Sequence, residues 1–394
     1  RDDPSFSGSS WIDSVIISNG FIGLTGYQFE SFYVTNVYIH TMKHDGIYVS
    51  NCDSAIFDGV HVTNINTDWR WTNDLGIAGG DCIQTESVGT VIVENSELDH
   101  SVWGGKFALI TNGNDTTICR NSIFRSTDGT HALFISKTYM DRCMVIGGDN
   151  GVWNVGPPRF YAYNSVFMNS NKAGILGAAT VHNCTFVNMK DAALRSYNRG
   201  WNVKNCIFYN VNEIIVSHHD IDIDYNLYYN PEDPQPRFQL GKNKVTKDPL
   251  FIDFESTDFR LRDQSPAIDA GIIIPKLLYD YDGMPRPENG IHDIGAFEFF
   301  TGSFFMDNKK NCDVKVYLNS GNSTFYLFLN EEEYEGTHMI TILNNTGKIL
   351  FQSKESLSAK EIFTAKVNGL VNGVYFVHFK SNNFNHTIKT LLLK

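Results

Sequence analysis

The chain has 394 residues, enough for two or three domains and a large core. Aromatic content is 13%, Asn and Gly are frequent and helix-forming runs are scarce, which points to many strands separated by turns. The net charge is −12, split into −14 over residues 1–300 and +2 over 301–394, so nucleic acid is a poor partner, and no run reaches the roughly 18 apolar residues of a membrane-spanning helix.

From the N-terminus the predicted elements repeat. A short motif recurs as "NSIF" at Asn121, "RCMV" at Arg142, "NSVF" at Asn164, "NCTF" at Asn183, "NCIF" at Asn205 and "NLYY" at Asn226, with spacings of 21, 22, 19, 22 and 21 residues. "NVYI" at Asn36, "DGVHV" at Asp58 and "NSEL" at Asn95 read as earlier copies. Each motif follows a short apolar strand and precedes another strand, such as "DGIYVSN", "KFALITN" or "EIIVSHH". Several short strands per period of about 21 residues fit an all-β solenoid, a right-handed parallel β-helix, whose coils stack roughly 4.8 Å apart. Equivalent side chains then form ladders, with Asn at a tight turn and Phe124, Phe167, Phe186 and Phe208 in one column. The seven cysteines include no CxxC pair and are read as small buried residues. Residues 1–239 are assigned to this body, and the chain resembles the broad family of right-handed β-helix repeat proteins, which hosts lyases, hydrolases and adhesins alike.

One coil is long. From Asp58 to Asn95 is 37 residues, and the excess maps to "NTDWRWTNDLGIAGG". Long loops on rigid scaffolds often carry function. Trp69 and Trp71 could stack on sugar rings and Arg70 could hold a uronate carboxylate; a loop folding its tryptophans back onto the coil is the competing reading. The next coils add Asp81, Glu86, Asp99, His100, Lys106, Arg125, His131 and Lys137, then Trp153 and Arg195. Such a mixture suits a polysaccharide-active groove, and equally a solvated face. "GGDCI" shares only part of the G-D-D-C-I of polygalacturonase-like hydrolases: the second Asp is missing and no Gly-His-Gly follows. A lyase needs a base for the C5 proton and a cation at the uronate carboxylate. Lys106, His131 and Lys137 are the candidate bases, with Arg125 as neutraliser. Trp69, Arg70, Trp71, Asp81, Glu86, Trp153 and Arg195 are the candidate substrate contacts. A non-catalytic adhesin or glycan-binding protein is the alternative.

The period breaks at residues 240–299, where "DPLF", "FRL", "SPAIDAG" and "DIGAFE" follow in order. This resembles the ending of many bacterial surface β-helix proteins, and is expected to cap the last coil's open edge. Asp280 and Asp282 in "DYDG" are candidate Ca2+ ligands, against a plain Asp-Gly turn.

Residues 300–313 read as a linker. Beyond them, 314–394 carries alternating strands at the spacing of an antiparallel, immunoglobulin-like sandwich. "VYLNSGNSTFYL", Gly347 in "NTGKIL", Leu370 with "NGVYFVHF" (Gly373 and Tyr375), and the terminal "TIKTLLLK" (Lys389 and Lys394) resemble the C-terminal sorting domain of type IX secretion cargo of the Bacteroidetes. Leu318 and Ser320 stand where that family usually has prolines. The resemblance implies a signal peptide, export through the type IX translocon, and sorting or attachment components as partners of residues 314–394.

Overall fold

The computed structural model describes the chain apart from residues 1–7, 66–79, 101–106, 128, 136, 155–159, 197–199, 218–220, 234–240, 287–289, 300–313, 320–323, 330–335, 358–361, 368–369, 372, 381–384 and 393–394. It divides into two compact units, 1–299 and 300–394.

The first unit is a parallel β-helix with three faces. The first face is a ten-stranded parallel sheet running from Ser9–Asp13 to Ile221–Asp224. The second face runs from Ile16–Ser18 to Leu227–Tyr229, and the third begins at Leu24–Tyr27. Two long strands, Thr185–Ser196 and Ile207–Ser217, bend from the second face into the third, with a register break between Met189 and Ala192 at the corner. Every second side chain points inward, so the first face reads half-buried and buried in alternation. The inward column of the second face includes Phe167, Phe186 and Phe208, whose rings stack at 4.9 and 5.2 Å.

The repeated Asn marks the turn between the first and second faces. Asn36, Asn95, Asn121, Asn164, Asn183 and Asn205 all have φ between 45° and 54°, the left-handed region that Asn tolerates better than most residues. The residue after it points inward and ties neighbouring coils together. Ser165 Oγ accepts the N–H of Cys143 at 3.1 Å and donates to the carbonyl of Tyr163 at 2.6 Å. Ser96 and Ser122 repeat this arrangement. Cys184 and Cys206 take the same position, with Sγ 3.3 Å from the carbonyl two residues back in each case. The last copy is offset by one: Tyr225 holds the left-handed turn (φ 55°), and Asn226 fills the inward slot, accepting Cys206 N–H at 2.7 Å.

The segment after the solenoid does two things. Val245 forms a parallel bridge with Leu227 on the last coil, so the open edge receives one short pairing. Residues beyond it run as a strap against the outer side of the second face. Phe251, Phe259, Leu261, Ile294, Ala296 and Phe297 pack with Val166, Val187, Ile207 and Leu227. Asn205 Nδ2 donates to Ile272 O and its Oδ1 accepts Ile272 N–H. Gly295 has φ 108°, and a Cβ there would lie 2.6 Å from Ile207 Cδ1. The strap therefore touches the coils so closely at Gly295 that a side chain does not fit.

The strap encloses one guanidinium with several carboxylates. Arg286 Nη1 donates to Glu298 Oε2 at 2.6 Å and Nη2 to Gly295 O at 2.8 Å, both side chains being fully buried. Asp280 accepts Met284 N–H through Oδ1 and Glu298 N–H through Oδ2. Asp293 accepts Asp269 N–H. Burial raises the carboxyls of Asp280 to about 7, Asp293 to about 6 and Glu298 to about 8, with Arg286 pulling each back down. Asp282 is half-buried and raised by the same cause. Both Asp280 oxygens are thus engaged by backbone N–H groups, one in its own turn and one farther along the strap. Among the described residues no three His, Cys, Asp or Glu side chains gather as a metal-ligand group.

The second unit contains a three-stranded antiparallel sheet (Val314–Asn319, Thr324–Leu329, Ile362–Lys366) and a four-stranded one (Ile349–Leu357, Gly336–Asn344, Gly373–Lys380, Asn385–Leu392). It has its own core, with Phe325, Ile340, Ile342, Leu370, Val377 and Phe379. Gly347 takes φ 80° in the hairpin turn, where Asn344 Oδ1 accepts the N–H groups of Thr346 and Lys348. Tyr375 OH donates to Val371 O at 2.6 Å and accepts Val371 N–H at 3.0 Å, fastening the loop that leads into its own strand. No helix among the described residues is long and apolar enough to cross a membrane.

Candidate functional site

The residues singled out in the sequence are dispersed over the solenoid. His131 opens a third-face strand and pairs in register with Phe107 and Asn150. Its Nδ1 accepts Asn150 N–H at 3.2 Å, and burial lowers its pKa, so the ring is neutral at neutral pH. The Trp153 ring lies 5.0 Å away, edge-on, and Trp153 also meets Phe134 at 5.3 Å. Trp153, Leu176 and Arg195 follow one another along one outward column. Arg195 is ion-paired with Asp191 at 2.6 Å. His131, Trp153 and Arg195 therefore share one face.

Glu86 lies on the third face two coils before His131, and the others do not join them. Arg125 is on the second face, with Nε 3.0 Å from Glu97 Oε1. Lys137 is exposed between the third and first faces, beyond the strand that His131 opens. Asp81 is buried and accepts Phe107 N–H at 2.9 Å, bracing one coil on the next. Glu86 accepts Tyr48 OH at 2.9 Å. His100 is buried with Nε2 2.8 Å from Gly80 O, burial lowering its pKa, and Asp99 sits in register with Arg125. Trp69, Arg70, Trp71, Lys106 and Lys394 lie outside the described residues. The long insertion falls between His61–Thr63 of the second face and Ile83–Glu86 of the third.

The same corner, farther along the solenoid, holds an open groove of about 930 Å³. Its walls carry Asn169, Asn171, Asn188, Asn210, Asn212 and Asn230. Asn169, Asn188 and Asn210 have φ of 62°, 54° and 51°, a second left-handed column that turns the second face into the third. Their amides form a relay across three coils: Asn210 Nδ2 donates to Asn188 Oδ1 at 2.7 Å, and Asn188 Nδ2 to Asn169 Oδ1 at 3.2 Å. Asn230 Oδ1 accepts Glu232 N–H and holds its own turn. The sequence reading missed this groove. Its signal is a second Asn five residues after the first turn position, in "NSVFMN", "NCTFVN", "NCIFYN" and "YNLYYN". An amide supplies both a donor and an acceptor without charge, so this wall can bind hydroxyl-rich ligands.

Residues 315–394 match the family model described as a secretion system C-terminal sorting domain. These residues are a type IX sorting domain. The protein is accordingly type IX cargo, exported across the outer membrane to the cell surface or medium, with a β-helix as its body. The sorting domain makes the secretion machinery a partner. Leu370 and Tyr375, two of the residues on which the resemblance rests, are buried in its core, and Lys389 lies on its last strand, paired with Phe376. No curated protein matches the chain.

Proposed function

We propose that the exported β-helix binds extracellular polysaccharide without cleaving it. The observation that carries this reading is the amide-walled groove, which spans several coils and opens to solvent. Extended polymers fit open grooves on rigid solenoids, and hydroxyl groups pair with amides through both donor and acceptor. Cleavage by elimination calls for a base and a carboxylate-neutralising cation at one sugar. His131 has its Nδ1 occupied by Asn150 N–H, and Arg125 is ion-paired on another face. Aromatic and cationic groups at Trp153 and Arg195, on the adjoining third face, offer additional contact for a long chain.

The test is electrophoresis of the full chain through gels containing neutral or acidic polysaccharides, with product analysis of the same mixtures. Retardation in at least one gel, with no new reducing ends and no unsaturated uronates, is the expected result. Unretarded migration in every gel would remove the reading, and product formation would replace binding by catalysis.

A further inference from the structure

We infer that the groove between the second and third faces takes an uncharged polysaccharide, read by the Asn amides. This rests on the polysaccharide-binding reading and adds the chemical class of the ligand. Among the described residues, six asparagines line the groove, and the formal charges there are Lys190 and Glu232. Lys172 pairs with Asp149 and Arg195 with Asp191, again among the described residues. A chain carrying a carboxylate on every sugar would meet little positive charge here, on a body whose residues 1–300 sum to −14.

The amides have capacity left over. Each primary amide has two N–H donors and two acceptor lone pairs. The relay takes one donor and one acceptor from Asn188, leaving one of each for a ligand. The left-handed backbone explains why Asn stands at 169, 188 and 210, and turn asparagines also relay at the other corner, Asn121 to Asn95 and Asn205 to Asn183; this column is set apart by the groove it lines. The left-handed backbone does not explain Asn212, whose φ is not positive. Coils repeat at about 4.8 Å, close to the length of one pyranose in an extended chain. Successive sugars lying along the axis would thus meet successive amides.

The experiment compares full-length protein with N169G/N188G/N210G, which keeps the left-handed turns while removing the amides, and with Asn212→Ala, whose backbone is ordinary. Binding is measured by calorimetry on mixed-linkage β-glucan, xylan, galactomannan, alginate and polygalacturonate, at low and high salt, with a thermal melt of each variant as the folding control. The expected result is salt-insensitive binding to at least one neutral glycan. The triple variant weakens it about tenfold or more, and Asn212→Ala a few-fold. Salt-suppressed binding to the uronate polymers alone would overturn the neutral class and leave the polysaccharide reading standing. Neutral binding unchanged in folded variants would overturn the groove. Failure to bind any of the five would overturn both.

Discussion

The solenoid depends on a pair of adjacent residues repeated coil after coil. Asn accepts the left-handed turn, and the Ser or Cys after it satisfies backbone groups inside the wall. At Ser165 one hydroxyl serves both the N–H of Cys143 and the carbonyl of Tyr163. Ser165→Ala would leave that N–H without its acceptor in a buried position. The expected loss is about 1–3 kcal/mol, visible as a lower urea midpoint with an unchanged slope. A midpoint within error of the parent would show that the N–H finds another acceptor. The turn Asn was legible in the sequence because left-handed backbone restricts residue choice and the spacing repeats. The inward slot was half legible: its Cys were read as small and buried, without the hydrogen bonds that Ser96, Ser122 and Ser165 reveal. Asn226 was placed one position off, because Tyr225 occupies a turn position where Asn or Gly is usual.

The strap is an element whose place could not be read from local pattern. Some of its contacts with the coils join residues as far as 67 and 111 apart, such as Asn205 with Ile272 and Thr185 with Ala296. No periodicity encodes such pairings, and an end cap was the natural expectation from sequence. Its buried charges give a testable pH dependence. Glu298 has its carboxyl raised by burial from 4.5 to about 8, so the folded state holds that proton more tightly than the unfolded chain. The corresponding stability is full below the unfolded value and is lost as pH rises through the folded one. Asp280 and Asp293 act in the same sense, with folded values of about 7 and about 6. His292, lowered from 6.5 to about 4 by burial with Arg286 adding to it, acts oppositely, but only below about pH 6.5. Between about pH 6.5 and about pH 8 the strap's unfolding temperature should therefore fall. Glu298→Gln keeps an acceptor for Arg286 and should flatten that slope. An equally steep slope in the variant would assign the titration to other groups.

At the scale of the whole molecule, body and tail have separate cores: one cluster runs through the solenoid, one lies beneath the strap, and one is confined to residues 316–379. The tail was the part whose function was most legible in the sequence, because it must present one recurrent sandwich to one machine. The body was legible as a fold only. Solenoid walls repeat for structural reasons, so charged residues such as Arg125, His131 and Lys137 fall at many points around them, and sequence order does not say which share a face. The tail's core, separate from the two clusters of the body, separates folding from export. Removing residues 315–394 takes no side chain from the solenoid or strap cores, so the truncated body should keep the thermal transition of the parent body. It should nevertheless accumulate in the periplasm, since the sorting domain has gone. Fractionation of cells expressing each form, with the melt of the purified truncation, checks both halves. A truncated body that reaches the medium at parental levels would show that export does not require the tail. One that fails to fold would show that the tail supports the body despite its separate core.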